Sequence, residues 1–156
     1  MATTRHNRHE IPAGTVHRTI GLLDGALRQL GLEPDDHATE RIGVMVNRAM
    51  SAQQRSFHTP EHIFDLADPE DPHITLAALF HDLVYYQVDR GFSEEIADLL
   101  EPYIVMNGDS LALRATIADH DRAFHGCAAV FGFHPGDTLS PFGGLNEFLS
   151  ALVMDV

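Results

Sequence analysis

The amino-acid sequence predicts an all-α fold, a single domain of about six to seven helices, on three observations. Apolar residues recur at three- and four-residue spacings in one segment after another, the period of a helix with one buried face. Capping residues and prolines stand where those segments begin. No stretch alternates apolar and polar residues convincingly in the manner of a half-buried strand, and no internal repeat is visible.

Residues 1–13 are expected to form a flexible arm. Gly14-Thr15 then opens a segment whose Val16, Ile20, Leu23, Leu27 and Leu30 keep close to the helical period and which closes at Gly31. After Pro34, Asp35 or Asp36 can cap a second helix, with Ile42, Met45, Val46 and Ala49 as its buried stripe and Glu40, Arg41, Asn47 and Arg48 facing water. Thr59 is a natural N-cap with Pro60 in the first helical position, so a short helix is expected over Glu61 to Ala67, carrying His62 near its start. Asp68 to Pro72 reads as a loop, and His73 or Ile74 through Tyr86 as the most apolar, central helix. Ser93 caps another that runs to about Val105, with Glu94 and Glu95 in the first turn, where the helix dipole favours carboxylates, and with Pro102 kinking or shortening it. Asp109 or Ser110 starts a helix with Leu111, Ala115, Ala118 and Arg122 at near-helical spacing, reaching Phe124 or even Val130. Pro135, Gly136, Pro141 and Gly143 mark the span from Gly132 to Gly144 as an irregular loop. The last helix, Leu145 to Val156, stops while still apolar. Such an ending predicts either a trimmed C-terminus or a homo-oligomer formed through its stripe of Phe148, Leu149, Leu152, Val153 and Met154.

Composition bounds the function. At 156 residues and 44% hydrophobic content, the chain suffices for one core that buries roughly 70% of the surface its unfolded form exposes. Ten Lys and Arg against 23 Asp and Glu leave a formal net charge of −13, a field that repels nucleic-acid backbones and anionic membranes. The basic residues form no cluster, so the footprint that neutralises phosphates is missing and a nucleic acid polymer is excluded as partner. A small phosphorylated molecule is not excluded, because a bound divalent cation reverses the local potential whatever the global sign. No run approaches the roughly 18 apolar residues of a membrane span. Cys127 stands alone, which excludes an internal disulfide and a four-cysteine zinc site, and Met1 to Glu10 holds no apolar signal core; a cytoplasmic location is expected.

The chemistry concentrates in Phe57-His58-Thr59-Pro60-Glu61-His62 and in His81-Asp82, the latter set within the apolar run Leu76 to Tyr85. An imidazole and a carboxylate are costly to bury unless something consumes their lone pairs, and a metal ion does that well. His58 and His62 are four apart and share a face if helix geometry extends back to His58, although Thr59-Pro60 places the helix start between them. His81 and Asp82 are about 100° apart around a helix axis and can flank one ion from adjacent sides. A buried hydrogen-bonded pair fixing two helices is the competing reading of His81-Asp82. Glu94 and Glu95 read as ordinary first-turn acids, while a solvated charged face accounts for His120 and His125 as well as a site does.

These segments, Phe57-His58-Thr59-Pro60-Glu61-His62-Ile63 and Phe80-His81-Asp82-Leu83-Val84-Tyr85, resemble those of the HD-domain superfamily of metal-dependent phosphohydrolases, in particular its small stand-alone members. The likeness is clear from about Arg55 to Glu95 and weaker onward to about Asp121. It implies an HD-type helical bundle holding a divalent ion (Mn, Fe, Co, Ni, Zn or Mg) on His62, His81 and Asp82, with His58 either supporting these ligands from behind or serving as an alternative ligand. It also implies that Asp82 orients a water, that Glu94 or Glu95 matches an acidic position kept by relatives, and that His120 matches a later histidine. Asp82 and Glu95 are the expected proton carriers. Relatives close the coordination sphere with an aspartate in the last helix, where Phe148-Leu149-Ser150-Ala151-Leu152 puts Ser150, a poor ligand for a divalent cation. Glu147, Asn146, Asp119 or His120 are the candidates to fill that gap. The expected function is hydrolysis of a small nucleotide or another phosphorylated metabolite; the alternative is a degenerate HD fold that binds a ligand or protein without chemistry.

Overall fold

The computed structural model describes residues 13–52, 54–55, 58–108 and 110–155. The arm expected over 1–13, apart from Ala13, lies outside the described residues, as do Phe57 and Asp109. The described residues form a mostly helical fold with eight α-helices and one small two-stranded sheet.

Helix α1 (Ala13–Gln29) packs on α2 (Asp36–Met50), whose N-cap Asp35 accepts a hydrogen bond from the Ala38 N–H at 2.8 Å. The two helices approach closely at Gly43, where a Cβ would stand 2.6 Å from Ile20 Cγ1 and 3.1 Å from its Cα. Helix α3 (Pro60–Leu66) starts at the proline, as Thr59-Pro60 predicts, although the Thr59 side chain makes no capping bond. Asp71 caps α4 (Pro72–Phe80) by accepting from the N–H groups of His73 and Ile74. Helices α1, α3 and α8 (Leu145–Asp155) all pack on α4, so its nearly uniform apolar sequence is that of a central element.

Helix α4 ends at Phe80 rather than reaching Tyr86, and the chain turns through His81 to Leu83 before the one-turn helix α5 (Tyr86–Asp89). Ser93 caps α6 (Glu94–Leu100), which stops short of Val105. Beyond α6 the chain departs from the helical expectation. Ile104–Asn107 and Ser110–Leu113 are antiparallel strands β1 and β2, paired from Ile104 with Leu113 to Asn107 with Ser110. The helix expected from Asp109 or Ser110 does not form, and α7 (Arg122–Phe131) starts only at the cap Asp121, whose carboxylate accepts from the Phe124 N–H at 2.9 Å.

Two physical causes separate the hairpin from the expected helix. Gly108 takes φ +63°, the left-handed backbone that reverses a tight hairpin and that glycine adopts without strain. Leu111, Ala112 and Leu113 are all buried, because the Thr138 segment covers β2 on its other edge: Leu113 N–H donates to the Asp137 carbonyl and Leu139 N–H to the Leu111 carbonyl, each at 2.8 Å. A strand buried in this way shows no alternation and cannot be told from a helix by periodicity.

Helix α8 has its stripe covered by the chain itself. Phe148, Leu149, Leu152 and Val153 are buried, and of the five residues expected to seek a partner only Met154 is exposed. The expected basis for a homo-oligomer through this helix is therefore absent.

The close α1–α2 contact gives a testable consequence. Gly43→Ala gains about 1 kcal/mol of intrinsic helix propensity but forces Ile20 aside at an overpacking cost of about 1–3 kcal/mol. Urea denaturation should show a net loss of stability; an alanine variant more stable than the wild type would mean that the helices have room to spare.

Candidate metal centre

Four side chains from three places converge. His58 lies before α3, outside the helix, so its approach to His62 does not come from shared helical register but from the bend that enters α3. His62 projects from the first turn of α3, His81 is the C-cap of α4, and Asp82 sits in the turn beyond it. One ligand atom from each of His58, His62, His81 and Asp82 lies within 4.8 Å of all the others. Ligand atoms around one first-row ion stand about 3 to 4.4 Å apart, so closing this set on an ion takes a few tenths of an ångström.

The lone pairs explain why something positive belongs there. His81 Nδ1 is 2.9 Å from the Ala78 carbonyl oxygen, which can only accept, so Nδ1 carries the proton and in the neutral ring Nε2 is the bare nitrogen. That Nε2 faces Asp82 Oδ2 at 2.7 Å. Two lone pairs at this distance repel unless a proton or a metal ion lies between them. His58 Nδ1 approaches the same carboxylate oxygen to 2.5 Å. It is buried and has no other polar partner among the described residues. With His62 and His81 beside it, this nitrogen and the carboxylate oxygen crowd one point that a cation could occupy. The donor set, three imidazoles and a carboxylate, suits a first-row divalent ion.

Without an ion the proton takes that place. The hydrogen bond to Asp82 lifts the His81 pKa above its ordinary 6.5 against the opposing effect of burial, with the Ala78 carbonyl and the Asp82 charge adding to the rise. Burial pushes the Asp82 carboxyl up, but the hydrogen bond and charge of His81, joined by His58, outweigh it and hold the group below its ordinary 3.8.

The remaining expected site residues are not part of this cluster. Glu95, in the first turn of α6, is half-buried and lines an open cavity of about 700 Å³ together with Tyr85, Asp89, Glu94 and Asp98. Asp119 and His120 are exposed in the loop before α7, and Glu147 is exposed on α8. Ser150 supports the backbone instead: fully buried, its Oγ accepts a hydrogen bond from the Val84 N–H at 2.9 Å. Asn146 acts likewise, its Oδ1 accepting from the Tyr86 N–H at 3.1 Å while its amide donates to Gln87.

Sequence reasoning missed Arg55 and Asp89. The Arg55 guanidinium is buried and paired with the Asp89 carboxylate, and it also donates to the main-chain carbonyls of Asp82 at 2.6 Å and Leu83 at 3.2 Å. A lone arginine three residues before His58 carries no helical period, so only its proximity to the motif marked it.

No family model matches the chain, and neither does any curated protein or solved structure. Among the described residues, no helix is long and apolar enough to cross a membrane.

The geometry is open to two measurements. Ser150→Ala strands the Val84 N–H in the core, which should cost about 1–3 kcal/mol in chemical denaturation while one metal ion per chain is still taken up; loss of metal stoichiometry would make Ser150 a ligand after all. The second measurement concerns pH. In metal-free protein the stability contributed by raised His81 is fully present below about pH 6.5 and is lost as pH rises through its folded value, whereas the Asp82 share is present above about pH 4 and lost as pH falls through its own. An ion must displace the proton, so its affinity rises with pH. The melting temperature gained on metal loading should therefore widen from about pH 5.5 to about pH 8; a gain independent of pH would contradict ligation by His81.

Proposed function

We infer that this protein is a metal-dependent phosphohydrolase or phosphodiesterase of the HD-domain type, acting on a small nucleotide or another phosphorylated metabolite. The observation that carries this reading is the convergence of three imidazole nitrogens and one carboxylate oxygen around a point where their lone pairs need a cation. A Mn, Fe, Co, Ni, Zn or Mg ion at that point would supply Lewis acidity, lowering the pKa of a water and polarising a phosphoryl oxygen.

The chain's own residues do the rest. His58, His62 and His81 would offer ring nitrogens as donors, and the Ala78 carbonyl fixes which nitrogen of His81 is available. Asp82 has a second carboxylate oxygen with which to accept a proton from an incoming water, so that attack on phosphorus and proton removal are served by one side chain. Glu95 stands along the cavity that shares Tyr85 with the site, and Tyr85 packs edge-on against His58 with ring centroids 5.2 Å apart. From there Glu95 is suited to relay that proton to solvent.

One observation favours the second reading, an HD-type domain that binds without catalysis. The place of the aspartate expected to close the coordination sphere holds Ser150, whose oxygen is already committed to Val84, and the acids able to replace it are exposed elsewhere. A non-catalytic domain would keep the cation and lose turnover.

Metal loading and turnover together separate the two. Wild-type protein stripped and reloaded with each ion should bind one equivalent and hydrolyse a generic phosphodiester or phosphomonoester, and His81→Ala and Asp82→Ala should lose both properties, turnover by at least about 100-fold. Bound metal without turnover on any nucleotide or phosphoester would favour the binding domain; no metal uptake at all would remove the hydrolase.

A further inference from the structure

Between Phe80 and Tyr86 the chain is neither helix nor strand, yet Leu83 and Val84 within it are buried. Backbone polar groups there need partners from elsewhere. Local backbone bonds meet the N–H groups of His81 and Leu83 and the carbonyl of Tyr85. Helix α8 meets two further N–H groups, through Ser150 on Val84 and Asn146 on Tyr86. The carbonyls of Asp82 and Leu83 are met by one side chain, Arg55, which donates from Nη1 to Asp82 O and from Nη2 to Leu83 O. The same guanidinium contacts Met50 Sδ at the end of α2, and it lies 5.8 Å from the centre of the Tyr85 ring, whose edge meets His58. Its charge is balanced by a two-pronged pair with Asp89, after which the chain takes left-handed backbone at Arg90, φ +58°, a conformation costly for a residue with a side chain.

We propose that Arg55, locked by Asp89, is the positioning residue of the metal centre: it fixes the main chain of the ligand Asp82 and, through Tyr85, the ring of the ligand His58, so that both aim at one point. This rests on the metal-binding reading of the cluster. The guanidinium does not reach the ligand atoms itself; it acts through the backbone of one ligand and the ring neighbour of another. An arginine is needed because a planar fork can hold a carboxylate with one edge and two carbonyls with its remaining N–H groups, which an ammonium cannot.

Charge and geometry make opposite predictions, which allows a decisive test. Removing a cation and freeing the Asp89 carboxylate should tighten cation binding if Arg55 acts only through its charge; it should weaken binding if Arg55 sets ligand positions. Co(II) affinity by calorimetry and the Co(II) visible spectrum are to be measured on wild type, Arg55→Lys, Arg55→Met and Asp89→Asn, with Leu113→Val as a core variant outside the segment to show what lost stability alone does. Arg55→Lys keeps the charge, so a weakening of about 10–100-fold with an altered spectrum is expected from geometry alone. Arg55→Met should weaken binding in the same direction, Asp89→Asn by less, and Leu113→Val not at all. Should the Arg55 variants fail to fold, the Co(II) visible spectrum of Asp89→Asn decides: loss of a remote charge alone weakens binding and leaves the spectrum of the wild type, whereas displaced ligands alter it. Unchanged or tighter Co(II) binding in every folded Arg55 or Asp89 variant, or an equal weakening in Leu113→Val, would overturn the positioning role while leaving the metal reading intact. Wild-type protein that takes up no cobalt would instead overturn the metal reading, and this inference with it.

Discussion

A helix that must stop in the middle of the core is the constraint on which the rest of this structure depends. Continued to Tyr86, α4 would pair the backbone of Leu83 to Tyr86 within the helix itself. It ends instead at Phe80, and in the turn that follows the Asp82 carboxylate meets His81 Nε2 and His58 Nδ1. The break exposes carbonyls and N–H groups to an apolar interior, each costing about 1–3 kcal/mol if left unmet. Arg55, Ser150 and Asn146 meet them from two sides. The last helix is thus tied to the site through backbone support, not through a ligand.

This gives Ser150 a physical meaning that ligand counting alone misses. A carboxylate at that position would place a second negative charge against a buried N–H two residues from Asp82, whereas a hydroxyl accepts the same bond without charge. The fold is compatible with four protein donors, and the remaining coordination positions of a divalent ion fall to solvent or substrate, as is common where chemistry requires an open face.

Much of the fold was legible in the sequence because its signals are local. Asp35 and Ser93 cap where a short polar side chain precedes an apolar period, Pro60 stands in the first turn of α3, and the four residues of the candidate site stand out as two histidines four apart and a His-Asp pair inside an apolar run. What could not be read depends on distant partners. Leu111 to Leu113 are consistent with helix or strand until the Thr138 segment covers them, although Gly108-Asp109 between two short apolar runs is a hairpin signal in the sequence. The extent of α4 was overestimated because Leu83 and Val84 are as apolar as the helix before them; only Arg55, 28 positions away from Leu83, shows that their backbone has left it. Apolar residues at the C-terminus suggested an unfinished surface, when they are the inner face of a helix already packed.

The charge balance of the site explains how a chain with a formal net charge of −13 can be suited to an anionic substrate. If three imidazoles ligate as neutral rings beside one carboxylate, a divalent cation at the centre would leave a local excess of one positive charge. The acids along the neighbouring cavity oppose this: Glu94, Glu95 and Asp98 line it with their charges, and Asp89 is already spent on Arg55. Screening limits their reach to about 8–10 Å in solution. An anionic group at the cation is therefore favoured, whereas a second anionic group extending into the cavity is repelled. Under the proposed function, a substrate with its phosphoryl group at the ion and a neutral or cationic remainder along Tyr85 would suit both halves of that field.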